Sequence, residues 1–183
     1  KILAGPHVRA ACQRHLTDLE LGPKRGLYFD LSLAARAVGF FRDVLCLNGG
    51  EYEGLPYELL DWQVFIVGSL FGWTTDDGYR RFRSAYVETA KGSGKSPLAA
   101  GIGIYGMMAD GEARAEIYAA ATKKDQAMIL FRDAVAMVDQ SPELSRRLTK
   151  SGTGEKCWNL AYIDKGSFFR PISSDDGQSG PRP

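Results

Sequence analysis

Apolar positions in the first fifty residues recur at helical spacing. Val8, Ala11, Cys12, Leu16 and Leu19 mark one amphipathic stretch between His7 and Leu19, and Leu33, Ala37, Phe41 and Leu45 mark a second between Asp30 and Leu47. Gly22-Pro23 separates the two, and Asn48-Gly49-Gly50 offers residues that tolerate the left-handed conformation at a helix end. A polar stretch from Glu51 to Pro56 leads into a third helical segment around Leu59 to Leu70.

After Asp76-Asp77-Gly78 the pattern changes to alternating strands and helices, which predicts α/β architecture. Ser84 to Thr89 predicts a short strand, and Lys95 to Ala109 a helix with Leu98, Ile102 and Tyr105 on one face. Ala115 to Ala121 is an apolar run of the kind buried in parallel sheets, so the three together predict a right-handed crossover. Thr122-Lys123-Lys124-Asp125 resembles a capping box, and the stripe Ala127, Leu130, Phe131, Ala134, Val135, Val138 carries the helix to Ser141-Pro142. Cys157 to Ile163 and Ser167 to Ile172 flank Asp164-Lys165-Gly166, a hairpin spacing with glycine at the left-handed position. Ser173 to Pro183 are turn formers without periodicity. This divides the chain into a helical extension and linker over residues 1–56 and a core domain over residues 57–183.

Composition narrows the function classes. The 183 residues hold 23 basic and 22 acidic side chains, for a formal charge of +1, so no dominant nucleic-acid footprint is written in the net charge. Arg80, Arg81 and Arg83 are a local basic cluster, of the kind that is usually solvated surface. Cys12, Cys46 and Cys157 form no Cys-x-x-Cys pair, which favours a reducing compartment. His7, Cys12 and His15 read as structural, because zinc sites want four ligands in paired short spacings. No apolar run approaches membrane-spanning length and no signal-peptide layout opens the chain, so no membrane partner is expected.

The chemistry concentrates in Ala90-Lys91-Gly92-Ser93-Gly94-Lys95-Ser96. A phosphate-binding loop brings backbone N–H groups around anionic oxygens, which needs glycine where side chains would obstruct, and it opens a helix with an electropositive start. Gly92 and Gly94 meet that need, Lys95 reaches the β and γ phosphates of ATP, and the Ser96 hydroxyl is placed to ligate Mg²⁺. The motif ordinarily begins with glycine five residues before Gly94, and here Thr89 stands there. The other reading is a glycine-rich surface turn with a solvated lysine. Gly101-Ile102-Gly103-Ile104-Tyr105-Gly106 also matches a dinucleotide fingerprint, but it lies within a helix rather than after a strand, so its glycines are expected to be close-packing positions. On the third helix, the Gln63 amide is suited to adenine N6 and N7, and Trp62 either covers the base or belongs to the core.

Taken together, Leu59-Leu60-Asp61-Trp62-Gln63, Leu70-Phe71-Gly72-Trp73, Arg81 to Glu88, Lys91 to Ser96 and Ala120 to Ala127 resemble the ATPase domain of the large terminase subunit of tailed bacteriophages, in the HK97-like branch. The resemblance runs from about Ala10 onward. It implies an α/β P-loop NTPase of the ASCE type, with a mostly parallel sheet flanked by helices, that drives viral double-stranded DNA into a capsid. It also implies a homo-oligomeric ring at the portal protein, a small terminase subunit as partner, and a place in the host cytoplasm. Residue by residue it implies that Gln63 recognises adenine, that Lys95 and Ser96 hold phosphate and Mg²⁺, and that Lys91 reaches the γ phosphate as a basic finger. With the reading of the residues, the nucleotide-binding candidates are Trp62, Gln63, Ala90, Lys91, Gly92, Ser93, Gly94, Lys95 and Ser96, with Lys91 and Lys95 as the catalytic ones. Such ATPases continue into an apolar strand ending in Asp-Glu. Asp76-Asp77 and Asp175-Asp176 lie instead in turn-forming contexts, so the catalytic acid and a nuclease domain are expected beyond Pro183, with slow hydrolysis by this chain alone. A helicase-like P-loop ATPase, or a partner-docking module built on the helices from His7 to Leu47, are the alternatives.

Overall fold

Pro6 opens the first helix, α1 (Pro6–Leu21), where a ring-fixed φ suits the first turn and the missing N–H breaks no helical bond. In the computed structural model, which describes residues 4–174, the chain falls into two units: Lys1–Val38 with Leu60–Val87, and Gly39–Leu59 with Glu88–Pro183.

In the first unit α1 does not present the expected apolar stripe inward. Val8, Leu16 and Leu19 are 57%, 60% and 46% exposed, whereas Asp18 is buried and His15 half-buried. The inward face is chosen by a polar network rather than by hydrophobicity. Trp73 Nε1 donates to His15 Nδ1 at 3.0 Å, and the imidazole meets Phe29, Phe65 and Trp73 edge-on. Asp18 accepts from Arg81 at 2.5 Å and from Arg25. Beyond a 3-10 turn at Gly22–Arg25, β1 (Leu27–Phe29) pairs antiparallel with β2 (Trp73–Thr75), placing Phe29 opposite Trp73. Neither strand is anticipated by the pattern, because three residues hold too few positions to show a period.

Asp30 caps α2 (Leu31–Val44), its Oδ1 accepting from the N–H groups of Ser32 and Leu33 at 2.8 and 3.0 Å. The helix stops before the expected Asn48-Gly49-Gly50, because the chain straightens and pairs with the segment Leu55 to Tyr57. Tyr57 N–H donates to the Leu45 carbonyl, and Leu47 N–H to that of Leu55. The glycines make the turn between, at φ +94° and +66°. Next comes α3 (Asp61–Gly72), whose last residue must lack a side chain, since a Cβ there would lie 2.6 Å from the Phe29 ring and 2.8 Å from Ala34 Cβ.

The second unit carries α4 (Lys95–Met108), β3 (Glu116–Ala121), α5 (Lys124–Gln140), α6 (Pro142–Arg147), β4 (Thr149–Ser151), β5 (Asn159–Tyr162) and β6 (Ser167–Ser173). The strand order is β3-β6-β5-β4, with β3 and β6 parallel and the other two pairs antiparallel. The α/β class is as expected, and the sheet is mixed rather than mostly parallel. The hairpin is also as expected, with Gly166 at φ +65° and Leu160 opposite Phe169. Three expectations are corrected. Among the described residues Ser84 to Thr89 forms no strand; Tyr86 is 88% exposed, and strand propensity without a packed neighbouring strand does not make a ladder. The crossover therefore does not join that segment to β3, whose parallel partner is β6. The capping box is absent as well: Lys123 caps α5 without a side-chain bond, and the Thr122 carbonyl instead accepts from Ser174 Oγ.

The stripe on α5 is buried at Ala127, Phe131, Ala134, Val135 and Val138, with Leu130 only half-buried and Met128 and Met137 widening it. Phe131 meets Phe169 edge-on across the sheet face. On α4, a Cβ at Gly103 would lie 2.7 Å from the Phe169 ring, and one at Gly101 would overlap the Phe41 ring and lie 2.9 Å from Leu45 Cδ1. These glycines are close-packing positions, against the sheet on one side and against α2 on the other.

Candidate phosphate-binding site

The loop expected to bind phosphate runs straight into α4, with Gly94 as the residue before the first helical turn. Gly92 and Gly94 take φ of +82° and +77°, a region that side-chain-bearing residues rarely occupy, and a Cβ at Gly92 would meet nothing within 4 Å. The backbone can turn here and remain open to a ligand. Leu98 N–H is the first to bond back into the helix, to the Gly94 carbonyl at 3.1 Å. Pro97 has no N–H, so the helix start presents the amides of Lys95 and Ser96 as its unused donors. With the positive end of the helix dipole, this suits an anion.

Side chains close the loop on itself. Lys95 Nζ donates at 2.8 Å to the carbonyls of both Thr89 and Ala90, and at 3.4 Å to Thr89 Oγ1. Ser93 Oγ donates to the Ala90 carbonyl at 2.7 Å and contacts Thr89 Oγ1. Thr89, Ala90, Ser93 and Lys95 are thus brought together, Ser96 stands half-buried in the first turn of α4, and Lys91 is exposed on the loop. The residues fit a nucleotide with Mg²⁺: an open Gly92, a lysine held by exchangeable oxygens, and a hydroxyl beside the helix start. Thr89, which the motif pattern marks only as a departure from glycine, is a participant. Its hydroxyl was the legible signal.

Gln63 and Trp62 lie on α3, in the other unit. Gln63 is buried, and its Oε1 accepts from Leu60 N–H at 2.9 Å, fixing the amide at the helix start; Trp62 is half-buried. The basic cluster is not simply solvated. Arg81 is bonded to Asp18 and lies over the Trp73 and Phe82 rings, while Arg80 lies over Phe71. Asp77 serves its turn, accepting from Thr75 Oγ1 and from Tyr79 N–H at 3.3 Å. Asp175-Asp176 lie outside the described residues. Among the described residues no group of histidine, cysteine and acidic side chains could hold a metal ion, and no helix is long and apolar enough to cross a membrane.

Residues 61–179 match the family model described as terminase large subunit, ATPase domain. Among solved structures, the chain is similar to the large terminase of bacteriophage HK97, at 21% identity and a TM-score of 0.65, over 81% of this chain. It spans 29% of the length of that terminase. No curated protein matches it.

Proposed function

Because the chain belongs to the family of the terminase large subunit ATPase domain, we propose that its Thr89-to-Ser96 loop binds ATP with Mg²⁺ and serves the ATPase of a viral DNA-packaging motor. The observation that carries this reading is the pairing of left-handed Gly92 and Gly94 with a helix start whose Lys95 and Ser96 amides are unused by the helix. In this reading Lys95 exchanges its loop carbonyls for phosphate oxygens, and Lys91 reaches over the terminal phosphate. Gln63 and Trp62 take the adenine, and the Leu60 bond to Gln63 Oε1 sets the amide's orientation. Ser96 would hold Mg²⁺, which offsets charge on the phosphates when bound. The proposed partners are double-stranded DNA, a portal protein, a small terminase subunit and further copies in a ring, in the host cytoplasm.

The test is titration of Mg-ATPγS into the wild-type chain and Lys95→Ala. Loss of at least tenfold in affinity is expected, since charge-assisted bonds to phosphate contribute about 1.5–3 kcal/mol each. Equal affinities would overturn the assignment. One observation also favours a second reading, in which the exposed apolar face of α1, Val8, Leu16 and Leu19, docks the portal protein or the small subunit.

A further inference from the structure

Proton counting gives the loop's side-chain bonds a direction. Ser93 Oγ donates its single proton to the Ala90 carbonyl, so in its contact with Thr89 Oγ1 it accepts, and Thr89 is the donor. Lys95 Nζ, which can only donate, gives its proton to the same Thr89 oxygen. The outcome is one directed chain, from Lys95 through Thr89 and Ser93 to the Ala90 carbonyl. Every residue has the carbonyl that Thr89 offers to Lys95, but the hydroxyl in the middle of the chain is particular to threonine or serine. Glycine, the ordinary occupant of this position in the motif, would leave the chain in two pieces.

We propose that Thr89 is a positioning residue of the nucleotide site: its hydroxyl, bonded to Ser93 beside the Lys95 ammonium, holds the loop in its turned shape before an anion arrives. This rests on the reading of the loop as a nucleotide site. Holding the loop in advance removes an ordering cost that binding would otherwise carry. The energetic link is Thr89 to Ser93, because the Lys95 contact with the hydroxyl is long and its two carbonyl contacts are short.

Mg-ATPγS affinity and melting temperature of wild type, Thr89→Val, Thr89→Ser, Ser93→Ala and the Thr89→Val/Ser93→Ala pair test this. Thr89→Val, which keeps the shape and removes the hydroxyl, is expected to bind about five- to tenfold more weakly with an unchanged melting temperature, the size of one net hydrogen bond. Thr89→Ser should return affinity to within about twofold of wild type, and the double variant should be no weaker than the weaker single one, because the chain is already broken. Wild-type affinity in Thr89→Val, a loss that serine does not rescue, or additive losses would each overturn the proposal while leaving the nucleotide site standing. Failure of the wild type to bind, or equal binding by Lys95→Ala, would overturn the nucleotide site and this role with it.

Discussion

His15 is held neutral by its surroundings. Burial lowers its pKa below the ordinary 6.5, the Arg81 charge lowers it further, and the nearby Asp18 carboxylate works in the opposite direction. The indole N–H of Trp73 reinforces this, because it needs a bare Nδ1 to donate to. In the unfolded chain the imidazole takes a proton near 6.5, while in the folded chain it does so only at lower pH. Stability from this residue is therefore complete above about pH 6.5 and lost as the pH falls through the depressed folded value. Urea denaturation between about pH 8 and 5 should show stability declining on the acid side, and His15→Gln should flatten that decline. An unchanged slope in the variant would contradict the assignment. Asp18 follows the same sign at lower pH: desolvation raises its pKa, but the Arg81 bond and the Arg81 and Arg25 charges outweigh it and leave the value lowered. Its share of stability is lost only in stronger acid.

Among the elements, α4 sets two opposing rules against each other. Alanine is favoured over glycine in a helix by about 1 kcal/mol. At Gly103 and Gly101, however, a methyl group would press into the Phe169 and Phe41 rings, whereas at Gly106 it would sit 3.4 Å from Ile117 Cδ1, an ordinary contact. Gly101→Ala and Gly103→Ala should each destabilise by about 1–3 kcal/mol, and Gly106→Ala should be neutral or stabilising. Thermal unfolding of the three variants checks the order; equal shifts would show that propensity alone is at work. The sequence pattern made α4, α5, the Gly166 hairpin and the turn at Gly92 and Gly94 legible, since each has either a long period or a glycine forced into an unusual conformation. It does not reach β1, β2 and β4, which have three residues each, and the amphipathic pattern of α1 does not reveal that its apolar face stays exposed. Hydrophobicity assigns Asp18 and His15 to solvent, and only their partners Arg25, Arg81 and Trp73, most of them distant in sequence, reverse that. Thr89 is legible only as a departure from glycine for a similar reason, because a motif written for glycine has no place for the bonds a hydroxyl adds.

At the scale of the whole molecule, the exposed face of α1 takes no part in the proposed nucleotide site. Replacing Val8, Leu16 and Leu19 together by serine should leave melting temperature and Mg-ATPγS affinity unchanged while abolishing co-purification with a portal protein. Retained co-purification would return this face to simple solvent exposure. The second unit bears on the proposed ATPase site in a different way. The helix that starts at the phosphate loop is flanked by rings fitted against Gly103 on one side and Gly101 on the other. A shaft keyed on both sides does not spin in its bearing. In the proposed site, a twist applied at Lys95 would meet Phe169 on the sheet and Phe41 on α2 before the helix could turn.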